Sequence, residues 1–292
     1  MQDVAHNSAP PRRRWFQFSL RTLLLAMLVF GCGLGWLANK RMKSQRAWAA
    51  VRAVERQRGI LHFEKGSWIE KKLGIDLPNA TSILVTCSHD LFESGDIAEI
   101  PTLQDVQVFG TTVTDDDLKL LENLSDLRSF GASSSQITSQ GLLHFQGLIK
   151  LDHLGIDGSN VTDEGLANLQ LPHLRSLSIG WTSVTDAGVA SLTKQTSLEV
   201  LNLQNTKVTD ACMDSLLKMP NLRKINIEGT AITDAGLAKL QGKTGLETLT
   251  VPTRLSKDSP SVVLLQRSLP NLKIYRKRSA KDTEYILIQD SR

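Results

Sequence analysis

The chain has 292 residues, enough for one or two domains, and its hydrophobic residues are mainly aliphatic because only 5% of all residues are aromatic. Residues 1–72 carry 14 Lys and Arg against 4 Asp and Glu, whereas residues 103–245 carry 11 against 16. A nucleic-acid interface needs its cations on one face, so this distribution excludes nucleic acid as the expected partner. The three cysteines, Cys32, Cys87 and Cys212, form no disulfide framework.

Residues 18–39 are predicted to form a single transmembrane anchor. The segment from Thr22 to Ala38 has 17 residues without a charge, and a bilayer span needs about 20 predominantly apolar residues. The basic N-terminal tail, residues 1–17, contains three consecutive arginines. A short tail of this kind favours an N-terminus inside the cell, which predicts a single-pass protein of the cell membrane with its large domain on the non-cytoplasmic side.

A cleaved signal peptide is the alternative interpretation of this segment, although the bulky Trp36 occupies a position that favours small residues at a cleavage site. Gly31 and Gly35 have the spacing at which two membrane helices can approach closely, so a homodimer through the anchor is a further alternative. Residues 40–58 have apolar side chains at helical spacing and are predicted to form a juxtamembrane helix.

Residues 103–245 contain six copies of one unit. The unit begins at Leu103 and restarts at Leu127, Leu151, Leu174, Leu198 and Leu222. At offsets 0, 3, 5, 10, 15 and 18 all 36 positions are apolar, where the overall composition would place about 15. A fixed period of this length predicts a solenoid of stacked repeats.

Each unit is predicted to fold as strand, turn and short helix. Offsets 3 and 5 have the period of a strand with one buried face, and offsets 15 and 18 have the spacing of one helical face. The turn between them, T-x-V-T-D, places a threonine where it can cap the helix and an aspartate near the positive end of the helix dipole. Calcium binding along the aligned aspartates is a weaker alternative for these residues.

Stacking of these units predicts an α/β solenoid with a parallel sheet on its concave face and short helices on its convex face. Residues 59–102 are predicted to cap the N-terminal end, and residues 246–292 to form a degenerate repeat and a C-terminal cap. The elements expected in the two caps are a strand at 83–85, a helix beginning at Ser259 and strands at 272–275 and 285–288.

The repeated unit resembles a known type. L-x-x-L-x-L-x-x-T-x-V-T-D-A-G-L, as at residues 174–189 and 222–237, is similar to the bacterial leucine-rich repeats related to those of F-box-type adaptor proteins. The front half, with F-S-L-R-T-L-L-L at residues 18–25 and Trp68 before Leu73, resembles single-anchor proteins abundant in planctomycete bacteria. The resemblance implies a leucine-rich-repeat solenoid and no particular ligand. Because an anchor replaces the F-box, a substrate-recognition adaptor is a remote alternative.

The residues that flank offsets 3 and 5 are expected to project from the concave sheet, and in its middle they are small, polar and nearly uncharged. This surface predicts binding of an extended partner, protein or glycan. Trp181 stands in a column of mostly small residues, so it either anchors a partner or packs over the adjacent helix-side turn. The candidate partner-binding residues are Phe109, His153, Asp157, Trp181, Asn202, Gln204, Lys224, Asn226 and Glu228.

The sequence therefore predicts a membrane-anchored, non-catalytic binding module. No catalytic constellation, cofactor or metal site is expected, because the serines and histidines fall in no recognisable catalytic or ligand spacing. The alternative function is a structural component of the cell envelope that associates with itself through the solenoid or the anchor helix.

Overall fold

The computed structural model describes residues 42, 45–47, 49, 60–63, 80–86, 96–100, 102–109, 113–278 and 284–288. The chain divides into two units after Lys43, and every element named below belongs to the second unit, Ser44–Arg292. No helix within the described ranges is both long and apolar enough to cross a bilayer. The predicted tail, residues 1–17, and anchor, residues 18–39, lie outside those ranges, as do most of residues 40–58 and much of the predicted N-terminal cap.

In this part of the chain, eleven strands form one sheet in which each strand lies beside its neighbour in sequence. Pairing is antiparallel between β1 and β2 and between β10 and β11, and parallel from β2 to β10. The strands are β1 (Ile60–Phe63), β2 (Ala80–Thr86), β3 (Asp105–Phe109), β4 (Ser129–Ser133), β5 (His153–Gly155), β6 (Ser176–Ser178), β7 (Val200–Asn202), β8 (Lys224–Asn226), β9 (Thr248–Thr250), β10 (Lys273–Lys277) and β11 (Tyr285–Leu287).

The helices between the strands are short, as the repeat length requires. The α-helices are α1 (Asp115–Leu118), α2 (Asp163–Asn168), α3 (Asp186–Ser191), α4 (Met213–Leu217), α5 (Asp234–Ala238) and α6 (Pro260–Ser268). The 3-10 helices are Asp96–Glu99, Lys119–Leu121, Gly141–Phe145, Leu192–Lys194, Asp210–Cys212 and Lys239–Gly242. The helical segment of the second repeat is thus a 3-10 helix. α6 begins after Ser259 as expected, but the Ser259 hydroxyl accepts a hydrogen bond from the N–H of Ser256 instead of capping the helix.

The repeated apolar positions form one continuous core between the sheet and the helices. All 36 of them are at most 4% exposed. Phe130 and Phe145, the two aromatic members, pack together with ring centroids 5.2 Å apart. Burying one leucine or phenylalanine side chain contributes about 1.5–3 kcal/mol. The stacked strand-and-helix architecture with a parallel sheet is confirmed.

The aspartate in the first turn of each helix connects its repeat to the next. Asp163 accepts hydrogen bonds from the N–H and the hydroxyl of Thr185, at 2.8 and 2.6 Å. In the second repeat, Ser139 replaces the aspartate and bonds to Thr162. We call this series the Asp–Thr ladder. Its other members are the pairs Asp115 and Thr138, Asp186 and Thr209, Asp210 and Thr233, and Asp234 and Ser261.

The ladder adds a contact between repeats to the roles that the sequence predicted for the turn threonines and aspartates within their own helices. Thr185, Thr209 and Thr233 do cap their helices, since each hydroxyl accepts from the N–H two residues later at 3.2–3.3 Å. The same hydroxyls also donate to the aspartate of the preceding repeat, a contact that the sequence analysis missed. The ladder gives the aligned aspartates a structural role in which no calcium takes part.

A column of glycines leaves room for the ladder. A Cβ on Gly236 would lie 2.0 Å from Oδ1 of Asp210, and one on Gly188 would lie 2.4 Å from Oδ1 of Asp163. Buried Cys212 occupies the same column, and the helical segment of its repeat begins with a 3-10 turn. Burial, with the nearby carboxylates, raises the pKa of the Cys212 thiol to about 12, so this thiol is protonated and unreactive.

We expect Asp163→Ala to lower the free energy of unfolding by about 1–3 kcal/mol, because it leaves the partly buried N–H and hydroxyl of Thr185 without their acceptor. Urea unfolding of the full chain measures this. Asp126→Ala is the matched control, since its salt bridge with Lys150 is half exposed and such pairs contribute about 0–1 kcal/mol. Equal losses in the two variants would contradict a structural role for the ladder.

Candidate functional site

The side of strands β3 to β9 that faces away from the helices is called the sheet face here; it corresponds to the predicted concave surface. Residues on this face alternate with buried ones along each strand. Gly131 and Gly155 pair in register on β4 and β5. The Gln107 side chain lies over Gly131, whereas no side chain covers the backbone at Gly155. A Cβ on Gly155 would have its nearest neighbours at 3.9–4.0 Å. The sheet face is therefore open and shallow in its middle.

The predicted partner-binding residues separate into distinct groups. His153 and Lys224 are exposed at the starts of β5 and β8, and His153 contacts Asp152. Phe109 ends β3, but its side chain lies outside the described part of the chain. Four others meet in one open depression of roughly 540 Å³, which we call the Trp181 pocket. Its lining residues are Ser133, Ser134, Asp157, Gly158, Trp181, Asn202 and Gln204.

A hydrogen-bond network holds the polar side of this pocket. The Ser178 hydroxyl lies 2.8 and 2.7 Å from the two carboxylate oxygens of Asp157, and the N–H of Gly180 donates to Oδ1 at 2.6 Å. Asn202 Nδ2 donates to Ser178 Oγ at 2.8 Å and to Asp157 Oδ1 at 3.3 Å. Burial raises the pKa of Asp157 above its usual value, although the bonds from Ser178 and Gly180 oppose this shift. The network fixes Asp157 across three neighbouring repeats.

Trp181 occupies a strained backbone position. Its φ is +59°, in the left-handed region that costs a residue with a Cβ about 1–2 kcal/mol. The same column holds Ser134, Gly158, Asn205 and Gly229, all with positive φ, which explains why the sequence has mostly small residues there. The N–H of Trp181 donates to the carbonyl of Gln204 at 2.7 Å, and this inter-repeat bond keeps the backbone in place.

The side chain of Trp181 does not pack into the fold. It is 60% exposed and borders the pocket. This exposure favours a role in partner binding over the alternative that Trp181 packs over the adjacent helix-side turn. A bulky side chain that is held in a strained conformation and left exposed is typical of a functional position, because neither its burial nor its backbone preference accounts for it.

The C-terminal segment covers the end of the sheet face. The Tyr285 hydroxyl interacts with the side chains of Asn226 and Gln204, and Lys277 Nζ lies 5.6 Å from the centre of the Tyr285 ring. Glu228 is only 4% exposed, and its Oε2 has no hydrogen-bond partner. Glu228 is thus withdrawn from direct contact with a partner. Sequence reasoning missed Tyr285, because this residue follows the last repeat and has no place in the 24-residue register.

Burial raises the pKa of the Glu228 carboxyl, while nearby Lys277, Arg254 and Arg276 oppose the shift. Arg254 is itself fixed by donating to the carbonyls of Thr230 and Ile232. The carboxyl group is therefore part of the contact between the last full repeat and the C-terminal segment, and it carries a penalty when ionised.

Comparison with known proteins identifies the type of repeat. A family model described as Leucine Rich repeat matches residues 170–192 and 218–240. These two segments are similar to leucine-rich repeats. Each matched segment includes the strand and the helix of one repeat, β6 and α3 in the first and β8 and α5 in the second. No match was found among curated protein sequences.

Two solved internalin structures from Listeria monocytogenes are similar to this chain. An internalin is 17% identical with a TM-score of 0.44, and the match covers 64% of this chain and 57% of that chain. An internalin C2 is 25% identical with a TM-score of 0.44, and the match covers 63% of this chain and 76% of that chain. This chain thus spans little more than half the length of the first.

We expect Glu228→Gln to gain stability over the wild-type protein as the pH rises from about 5 to about 7. A carboxyl group with a raised folded-state pKa stabilises the fold while it is protonated, and this contribution is lost as the pH rises through that pKa. Urea unfolding at both pH values measures the difference. In the control, Glu247→Gln, the half-exposed carboxylate pairs with Arg223, and we expect no such gain. If the free energy of unfolding changes with pH in the same way in all three proteins, a raised pKa of Glu228 is contradicted.

Proposed function

We propose that this protein is a non-catalytic binding module, anchored in the cell membrane by residues 18–39, that uses its sheet face to hold a protein or glycan partner. The observation that carries the proposal is the exposed Trp181, kept in a left-handed conformation beside a fixed polar network. Exposed aromatic side chains dominate the binding energy of many interfaces. The resemblance of the N-terminal half to single-anchor planctomycete proteins is one reason for proposing the anchor.

The chemistry of the sheet face favours binding over catalysis. The carboxylate of Asp157 accepts from Ser178, but within the described network no histidine accompanies this pair. A serine nucleophile needs a base to remove its proton. The aspartates of the turns are engaged in the Asp–Thr ladder, and Cys212 is buried and protonated. These groups belong to the interior or to the contacts between repeats. The open sheet face is therefore the surface that can bind a partner.

The anchor is supported by the composition of the N-terminal segment. Residues 22–38 contain no charge, and basic residues lie close to both of its ends. This arrangement suits a membrane helix with its positive tail in the cytoplasm, which would display the leucine-rich repeats on the outer side. A homodimer through Gly31 and Gly35 is compatible with this arrangement.

We expect Gly155→Arg to block partner binding, because it places a long side chain on the bare centre of the sheet face, where a Cβ is accommodated. The full chain is used as bait in membrane extracts, and captured molecules are compared by mass spectrometry. Ile149→Arg is the control, since Ile149 is 61% exposed in the turn before β5. If wild-type protein captures only copies of itself, or if the two variants behave alike, the binding proposal is wrong and self-association is favoured.

We expect the full chain to remain in the membrane pellet after alkaline carbonate extraction, and Leu25→Arg with Leu28→Arg to release it. Two charges near the middle of a span are each unfavourable by about 2.5–3.5 kcal/mol. Protease added to intact cells should digest the repeats if they face outward. A chain that is protected until the cells are opened would reverse the proposed orientation, and release of the wild-type chain would contradict the anchor.

A further inference from the structure

The Trp181 pocket combines one aromatic face with a rim of oxygen and amide groups. Trp181 is the one large apolar side chain among its lining residues, and the rest are serine, glycine, aspartate, asparagine and glutamine. The π-face of an aromatic ring carries partial negative charge, so it attracts C–H groups that carry partial positive charge. The axial face of a pyranose ring presents such a patch of C–H groups, surrounded by hydroxyl groups.

The rim is suited to hydroxyl groups. Ser178, Gly180 and Asn202 all lie within hydrogen-bond distance of Asp157 Oδ1, whereas of these three only the Ser178 hydroxyl also reaches Oδ2. Oδ2 is therefore the less occupied acceptor and the one that an O–H donor of a ligand would reach. The Gln204 amide contacts the Tyr285 hydroxyl. Because an amide has two N–H donors and two acceptor lone pairs, it still has capacity for a ligand hydroxyl at the edge of the same pocket. Because Asn202 is fixed by its own bonds to Ser178 and Asp157, the rim is preorganised.

Other classes of ligand fit less well. A peptide could add a strand only at a free sheet edge, but strands β4 to β7 beneath the pocket each have partners on both sides. The lining residues offer no apolar hole for a leucine or phenylalanine side chain. They also include no lysine or arginine, so a phosphate or carboxylate group would find no counter-ion beside Asp157.

We propose that the Trp181 pocket binds a sugar ring of a neutral polysaccharide, with the ring stacked on Trp181 and its hydroxyl groups bonded to Asp157 and Gln204. The inference deepens the proposed binding function and depends on it. It assigns the partner to the saccharide class and gives each of the three residues a separate role. The neighbouring open position at Gly155 leaves room for an adjoining sugar unit.

The test measures binding of the full chain to neutral oligosaccharides. The probes are pentasaccharides of glucose in α- and β-linkage and of N-acetylglucosamine, together with an immobilised array of random peptides. The protein is kept in a detergent without a sugar headgroup, because such a headgroup would compete for the pocket. Titration calorimetry and the array then report affinities for both classes of probe under the same conditions.

Two variants isolate the stacking contact. Trp181→Gly removes the aromatic face and also relieves the positive-φ strain, so its urea-unfolding midpoint should stay within error of the wild type or rise. Its affinity for the saccharide should fall roughly tenfold or more. The matched control, Asn205→Gly, makes the same backbone change in the next repeat, outside the pocket lining, and should bind like the wild type. Asp157→Asn preserves the shape of the rim and should weaken binding by about threefold to tenfold, because it removes a charge-assisted acceptor.

The outcomes separate this inference from the binding function on which it depends. Saccharide binding that Trp181→Gly abolishes and Asn205→Gly spares would support it. Peptide binding with the same dependence on Trp181, and no saccharide binding, would overturn the saccharide class and leave the binding function standing. Saccharide binding that is insensitive to Trp181 would overturn the assigned site. A chain that binds neither class and captures only itself would overturn both.

Discussion

Every repeat of this protein depends on its neighbours. A helix of four to six residues is far too short to persist in water, and a strand of three residues has no partner within its own repeat. Stacking supplies what each unit lacks: the next strand, the next row of aliphatic side chains and, through the Asp–Thr ladder, an acceptor for the next helix cap. At most junctions the ladder places two hydrogen bonds on one carboxylate, as between Asp163 and Thr185. Between the second and third repeats the Ser139 hydroxyl takes the place of the carboxylate.

That dependence also shapes the candidate site. From Ser134 to Asn205, the N–H of each described residue in the positive-φ column donates to a carbonyl of the following repeat, as from Trp181 to Gln204 and from Asn205 to Glu228. The stack thus holds a backbone conformation that a tryptophan would not adopt by itself. The position of Trp181 next to Asp157 and Asn202 follows from this fixed column, since all three residues come from different repeats and meet only when the repeats are in register.

Much of the fold could be predicted because its causes are local and repeated. The leucines from Leu103 to Leu222 recur every 23 or 24 residues, and a pattern present in six copies leaves little ambiguity about strand, turn and helix. The partners of the turn aspartates could not be predicted, because Asp163 and Thr185 are 22 residues apart and the sequence also allows each to act within its own helix. The C-terminal segment, including Tyr285, contacts Glu228 and Asn226. These contacts could not be predicted either, because this segment is not part of the repeat pattern.

The sequence by itself determined the type of repeat, its number, the buried columns and the departure of Trp181 from a column of mostly small residues, because each of these depends on side-chain size and polarity at fixed spacing. Only the tertiary structure decided which polar residues meet. It joined Asp157, Trp181, Asn202 and Gln204 in one pocket and withdrew Glu228 from the surface. The physical reason is that hydrogen bonds and burial depend on distances between repeats, and those distances are set by stacking rather than by any single repeat.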